Sequence, residues 1–184
     1  MNNPNRNPWK TLSEKQIYEN PWISLTEYKV INPGGGEGIY GKVHFKNLAI
    51  GVVVLDEYDN TWLVGQFRYS LEQFSWEIPE GGGPLEEDPL SSAKRELLEE
   101  TGITAGSWTE IQRMHLSNSV SDELSIIYLA RDLGFGESNP EETEQLTIRK
   151  IPFNDAYNMV INGEITDSIT VAAILKVKVL NIVP

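Results

Sequence analysis

From residue 13 to 31 apolar and polar side chains alternate through KQIYENPWISLTEYKV, broken at Asn20-Pro21, and the pattern predicts two short strands joined by a turn. Residues 39 to 46 read as another strand. The runs LAIGVVVLDE and TWLVGQFRY, separated by Tyr58-Asp59-Asn60, predict a β-hairpin whose first arm, apolar throughout, is central in a sheet. Residues 74 to 79 form a further short strand that delivers the chain into a glycine turn. Strands follow at 108 to 116, 124 to 130 and 146 to 151, and helices at 154 to 161 and 165 to 177, with a polar loop over 131 to 145. With one internal helix at about 89 to 101, the order describes a mixed sheet between helical layers, an α/β sandwich.

Composition narrows the class. The 184 residues suit one domain with a small N-terminal extension. There is no cysteine, which excludes disulfides and thiolate zinc sites and allows a reducing, cytoplasmic home. The first ten residues, MNNPNRNPWK, lack the apolar core of a signal peptide, and LAIGVVVL is too short to span a bilayer, so no membrane role is expected. A formal net charge of −12 argues against nucleic acid as a partner. A phosphorylated substrate would have to be met by metal ions or a few arginines. The glycine-rich run NPGGGEG at 32 to 38 neither follows a strand nor opens a helix, and reads as a loop rather than a phosphate cradle.

The chemistry concentrates between Gly81 and Ile103, in GGGPLEEDPLSSAKRELLEETGI. Asp88 followed by Pro89 reads as an N-cap with proline at the first helical position, and Gly102 as the left-handed residue that stops the helix. At about 100° per residue, Leu90, Ala93 and Leu97 share one side, while Glu96, Glu99 and Glu100 gather on another. Like charges at this spacing repel. Arg95 offsets part of the repulsion by pairing with Glu99, and a hard divalent cation taking oxygen ligands offsets more. A generic glutamate-rich helix is more often a solvated face.

The spacing decides between the two. Gly81, five residues, Glu87, seven residues, then Arg95-Glu96-Leu97-Leu98-Glu99-Glu100-Thr101-Gly102-Ile103 resembles the Nudix box at every specified position. The chance of such a match in a chain this long is on the order of one in ten million. NPWI (from Asn20), VGQFRY (from Val64), WEIPEGG (from Trp76) and GEITDSITVAAI (from Gly163) extend the likeness to the ADP-ribose pyrophosphatase and nucleoside diphosphate sugar hydrolase branch. One departure stands out: Pro79-Glu80-Gly81-Gly82-Gly83 where many relatives have Pro-Ala-Gly, which bears on substrate preference.

The resemblance implies a Nudix α/β/α sandwich with a mixed β-sheet, residues 46 to 184, preceded by a short N-terminal β extension, residues 1 to 45, that serves dimerisation. It implies Mg²⁺, with Mn²⁺ as a substitute, held by Glu96, Glu99, Glu100 and the main-chain carbonyl of Glu80, with Glu87 tuning the cluster. It places the general base on the loop before the last strand, where Glu142 matches best, with Glu144 a further metal contact and Glu141 the alternative. Arg68 would reach the diphosphate or terminal ribose through its forked guanidinium; its competing role is an edge ion pair. Trp22, Tyr28 and Tyr40 could stack on a base across a homodimer interface, or simply pack. His44 and His115 read as packed or surface histidines, and Trp62, Trp76 and Trp108 as packing. The implied reaction is hydrolysis of ADP-ribose or a nucleoside diphosphate hexose to a nucleoside monophosphate and a sugar phosphate. The alternatives are a pyrophosphohydrolase of nucleoside triphosphates or dinucleoside polyphosphates, and a sensor that binds without turnover.

Overall fold

The computed structural model of the chain describes residues 6–138 and 145–183. In chain order its elements are β1 (Lys10–Glu19), β2 (Ile23–Ile31), β3 (Glu37–Phe45), β4 (Asn47–Val54), β5 (Asn60–Arg68), β6 (Gln73–Glu77), β7 (Glu80–Pro84), α1 (Pro89–Thr101), β8 (Ile103–His115), β9 (Leu124–Phe135), β10 (Thr147–Pro152), α2 (Phe153–Ile161) and α3 (Ser168–Val179). They fall into two compact units, one comprising the chain up to Asn47 with Ser117–Glu123, the other Leu48–Leu116 and the chain from Leu124 onward. No helix among the described residues is long and apolar enough to cross a membrane.

The second unit is organised around β4. Its side chains alternate between two cores, with Ile50, Val52 and Val54 on one side and Val53 and the following Leu55 on the other. That is the period-two pattern of a strand covered on both faces. Ala93 and Leu97 of α1 join the first core, together with Ile126, Tyr128 and Ala130 of β9. Ile169, Ala173, Ile174 and Val177 of α3 and Phe153 and Ala156 of α2 close the second over Ile127, Leu129 and Leu63. Helices thus lie on both faces of a sheet of order β7-β4-β9-β8, in which β4 and β9 run parallel and β8 and β9 antiparallel. The expected mixed α/β sandwich is present.

The expected hairpin is not. β5 pairs with β6 and β10 in a separate sheet of order β10-β5-β6, and β4 pairs with β7 and β9. The chain does turn where the sequence places a turn. Asp56 accepts hydrogen bonds from the backbone N–H groups of Tyr58 (2.9 Å) and Asn60 (2.8 Å), and its own N–H donates to the Asn60 carbonyl at 3.1 Å. Beyond this corner the two strands part, β4 into the sheet with β7 and β9 and β5 into the sheet with β6 and β10. A second correction concerns the glycine turn: residues 80 to 84 form β7, a strand of glycines that carries no side-chain signal for strand formation.

In the first unit β1, β2 and β3 make an antiparallel sheet in that order. Ser117–Glu123 lies along β3, bonding Val43 N–H to the Val120 carbonyl (2.9 Å) and Asp122 N–H to the Val43 carbonyl (3.2 Å). The Asp122 carboxylate also takes the Phe45 N–H (3.0 Å), His44 Nδ1 (2.8 Å) and Lys42 Nζ (3.1 Å).

Candidate active site

α1 begins and ends where its caps dictate. The Asp88 carboxylate accepts from Leu90 N–H at 3.4 Å with Pro89 following, and Gly102 closes the helix at φ 70°, its N–H bonded to the Leu98 carbonyl. The first turn needs an acceptor and the last a residue free of Cβ strain, and the sequence supplies both. Between them the acidic side is not the solvated face of an ordinary surface helix. Glu96 and Glu100 are buried, one turn apart, whereas Glu99 is half-buried and Glu87 exposed in the preceding turn.

Burying two carboxylates requires room and donors, and β7 gives both. A Cβ on Gly81 would fall on the Glu96 carboxyl group, so only glycine lets that side chain lie against the strand. One residue earlier, the Glu80 N–H donates to Glu100 Oε2 at 3.0 Å. Glu96 and Glu100 therefore lean on the two residues joined by the Glu80–Gly81 peptide. Arg95 fixes the arrangement from outside: Nη2 donates to the Gly82 carbonyl (2.7 Å) and to Glu96 Oε1 (2.7 Å), and Nη1 to Glu99 Oε2 (2.7 Å). Burial works against the Arg95 charge, but Glu96 and Glu99 outweigh it and hold the guanidinium above its ordinary pKa.

Arg68, at the end of β5, is committed to carboxylates. Its Nε donates to Glu77 Oε1 at 2.9 Å, and its Nη2 to Glu77 Oε2 and, at 3.0 Å, to Glu80 Oε1. Glu77, Glu80 and Asp167 bring carboxylate oxygens within 4.8 Å of one another, the one group of three acidic ligand-type side chains this close among the described residues. Burial, then the charges of Asp167 and Glu77, push the Glu80 carboxyl well above the usual range, with Arg68 pulling the other way. Burial opposes the Arg68 charge too, yet Glu77, Glu80 and Asp167 leave it raised. Glu80 Oε2 is buried without a hydrogen-bond partner.

Among the sequence-derived candidates, the structure gathers Glu80, Gly81, Arg95, Glu96, Glu99 and Glu100 where α1 meets β7, and Arg68 joins them through Glu80. Gly102 sits at the end of the same helix. Tyr28 belongs to the other unit, half-buried in β2 and opposite Tyr40 of β3. Glu141, Glu142 and Glu144 lie outside the described residues. The sequence reading passed over Glu77 and Asp167, although both stand in the quoted stretches WEIPEGG and GEITDSITVAAI. A usable signal for Asp167 was its place as N-cap of α3, where it accepts from Thr170 N–H at 2.7 Å.

The donors available to a metal are oxygens alone: the Glu96 and Glu100 carboxylates and the carbonyl of the peptide they flank. That chemistry fits a hard divalent cation and excludes a soft one.

A NUDIX domain model matches residues 45–169, and a model of the nucleoside diphosphate sugar hydrolase N-terminal domain matches residues 9–43. The chain is 32% identical over 174 residues to an ADP-ribose pyrophosphatase of Mycobacterium tuberculosis (strain ATCC 25618 / H37Rv), covering 92% of this chain and 83% of that one. To an ADP-ribose pyrophosphatase of Bacillus subtilis (strain 168) it is 32% identical over 167 residues, covering 90% of each. The crystal structure of an ADP compounds hydrolase superposes with a TM-score of 0.84 over 94% of this chain and 93% of that chain, at 18% identity, a likeness of fold.

Proposed function

The chain belongs to the NUDIX domain family, and from that membership we propose that it hydrolyses the diphosphate of ADP-ribose or a related nucleoside diphosphate sugar. One observation carries the reading: two buried glutamates one helical turn apart, Glu96 and Glu100, lean on the adjoining residues Gly81 and Glu80. Two carboxylates buried this close repel one another even with Arg95 on Glu96 and the Glu80 N–H on Glu100, and a bound cation would offset that repulsion.

Mg²⁺, or Mn²⁺ in its place, would be held by Glu96, Glu100, the Glu80 carbonyl and the more exposed Glu99. When bound it supplies charge neutralisation at the bridging phosphates. The protein's own part is positioning. Glu80 N–H holds one oxygen of Glu100, Arg95 holds one of Glu96, and Gly81 leaves the space that Glu96 fills. Water adds to one phosphorus and the bridging P–O bond breaks, giving a nucleoside monophosphate and a sugar phosphate. The proton lost by water would pass to a carboxylate among residues 141 to 144, Glu142 foremost, and Glu144 would be a further contact for the cation. Arg68, with Glu77 and Glu80 on its inner side, offers its remaining guanidinium edge to the substrate, and Tyr28 contributes to the nucleoside end in a homodimer.

The test is product identification with ADP-ribose and a panel of nucleoside diphosphate hexoses in Mg²⁺. AMP and ribose 5-phosphate are expected from ADP-ribose, and Glu100→Gln lowers turnover by at least about a hundredfold. Release of pyrophosphate from nucleoside triphosphates instead, or full activity in Glu100→Gln, overturns the proposal.

A further inference from the structure

Ile78 and Pro79 carry the chain from β6 in one sheet to β7 in the other, and they lead directly into Glu80. A crossing between sheets has no ladder of its own, so its backbone groups need other partners. The Pro79 carbonyl accepts from Val52 N–H of β4 at 2.9 Å. Pro79 has no N–H to place. The two remaining donors on either side of it both go to side chains: Glu80 N–H to Glu100 Oε2 at 3.0 Å, and Ile78 N–H to Thr170 Oγ1 at 2.9 Å.

Thr170 is a hydroxyl with no exposure on α3, a helix whose other buried residues, Ile169, Ala173, Ile174 and Val177, are all apolar. A buried polar group on such a face is costly unless it is bonded. Its partner lies 92 residues earlier in the chain. Thr170 and Glu100 thus grip the same short, proline-stiffened segment from opposite ends, one from α3 and one from α1.

We propose that Thr170 is a positioning residue for the reaction. By holding Ile78 N–H it fixes the Pro79–Glu80 peptide from the α3 side, and so sets where Glu80 N–H meets Glu100 and where the Glu80 carbonyl stands. The inference rests on the metal-dependent reading above. It also gives a role to the second threonine of the stretch GEITDSITVAAI, otherwise one more helix residue.

The probe is Mn²⁺ alone, titrated by calorimetry or electron paramagnetic resonance into the full chain without substrate. Thr170→Val, which keeps the shape and removes the acceptor, is expected to weaken Mn²⁺ binding about tenfold and to lower kcat more than it raises KM. Thr170→Ser, which keeps the hydroxyl and loses the methyl, binds within about twofold of the parent even where its Tm falls. Ile174→Val, buried on the same helix, lowers Tm and leaves Mn²⁺ binding unchanged. In the parent protein, amide exchange at Ile78 slows when Mn²⁺ is added, a readout independent of whether Thr170→Val folds. Undiminished Mn²⁺ binding in folded Thr170→Val, equal weakening by Ile174→Val, or Ile78 exchange indifferent to Mn²⁺ overturns the inference. Failure of the parent to bind Mn²⁺ at all overturns the metal-dependent reading with it.

Discussion

At Gly81 and Asp56 a single residue decides what its neighbours can do. Any Cβ at Gly81 occupies the position of the Glu96 carboxylate, so Gly81→Ala forces Glu96 to rotate off β7. Glu96 is the flexible end of its side chain, so the fold adjusts cheaply while the donor set does not. The expected outcome is Mn²⁺ affinity lower by at least about tenfold with a Tm shift of no more than about 3 °C, checked by titration and thermal melting on one preparation. Asp56 acts through charge. Burial opposes its ionisation, but Lys150 at 2.7 Å, Asn60 and the turn N–H groups win, and its pKa falls from 3.8 to about 2. A depressed carboxyl contributes stability that is complete above about pH 4 and lost as the pH falls toward 2. With solvent screening allowed for, the contribution is on the order of 1 kcal/mol. Urea midpoints measured stepwise from pH 5 to 2 should fall less steeply in Asp56→Asn than in the parent.

At the scale of elements, α1 shows why some structure is readable in advance. Its ends are fixed by local chemistry, an aspartate with a following proline and a glycine at φ 70°, and both were legible at Asp88, Pro89 and Gly102. Gly102 carries a second constraint that no local reading finds, because a Cβ there would come within 2.5 Å of the Gly136 carbonyl oxygen. Gly102→Ala is therefore expected to cost about 1–2 kcal/mol for the left-handed backbone, with the contact adding to it. Gly102→Asn, which tolerates that backbone, should recover little if the contact dominates; thermal melts of the two variants decide it. The hairpin between β4 and β5 failed for the converse reason. Asp56 to Asn60 do form a turn, but whether strands beyond a turn pair is settled by β7, β9 and β10, which lie far away in sequence. β7 went unseen because glycines have no side-chain alternation. With it went the reason why Glu96 and Glu100 are buried rather than solvated, so the box spacing identified the acidic helix but not its surroundings. Glu77 and Asp167 escaped for the same reason, since their meeting with Glu80 is tertiary.

For the whole molecule the question is what becomes of the first unit's sheet. One edge, β3, is closed by Ser117–Glu123 through Val43, Phe45 and the Asp122 carboxylate. At the other edge all ten residues of β1 are exposed, Leu12, Ile17 and Tyr18 among them, and Trp22 in the turn that follows it and Ile39 of β3 are exposed as well. A long open edge with apolar side chains is a site for strand pairing, and stable proteins cover it. Charge does not oppose self-association here: the chain carries −12 overall, but within β1 two lysines (Lys10, Lys15) cancel two glutamates (Glu14, Glu19). Antiparallel pairing of β1 with its own copy could set lysine against glutamate, which favours that arrangement. Sedimentation equilibrium at micromolar concentration should accordingly give twice the 20.7 kDa chain mass. Leu12→Asp with Ile17→Asp, which places like charges across the pairing edge, should give a monomer. If Tyr28 serves the nucleoside end only in the dimer, that variant raises KM for ADP-ribose while its Mn²⁺ affinity, set by α1 and β7, stays that of the parent. A monomeric parent, or a monomeric variant with unchanged KM, removes the dimer from the account of function and leaves β1 to another partner.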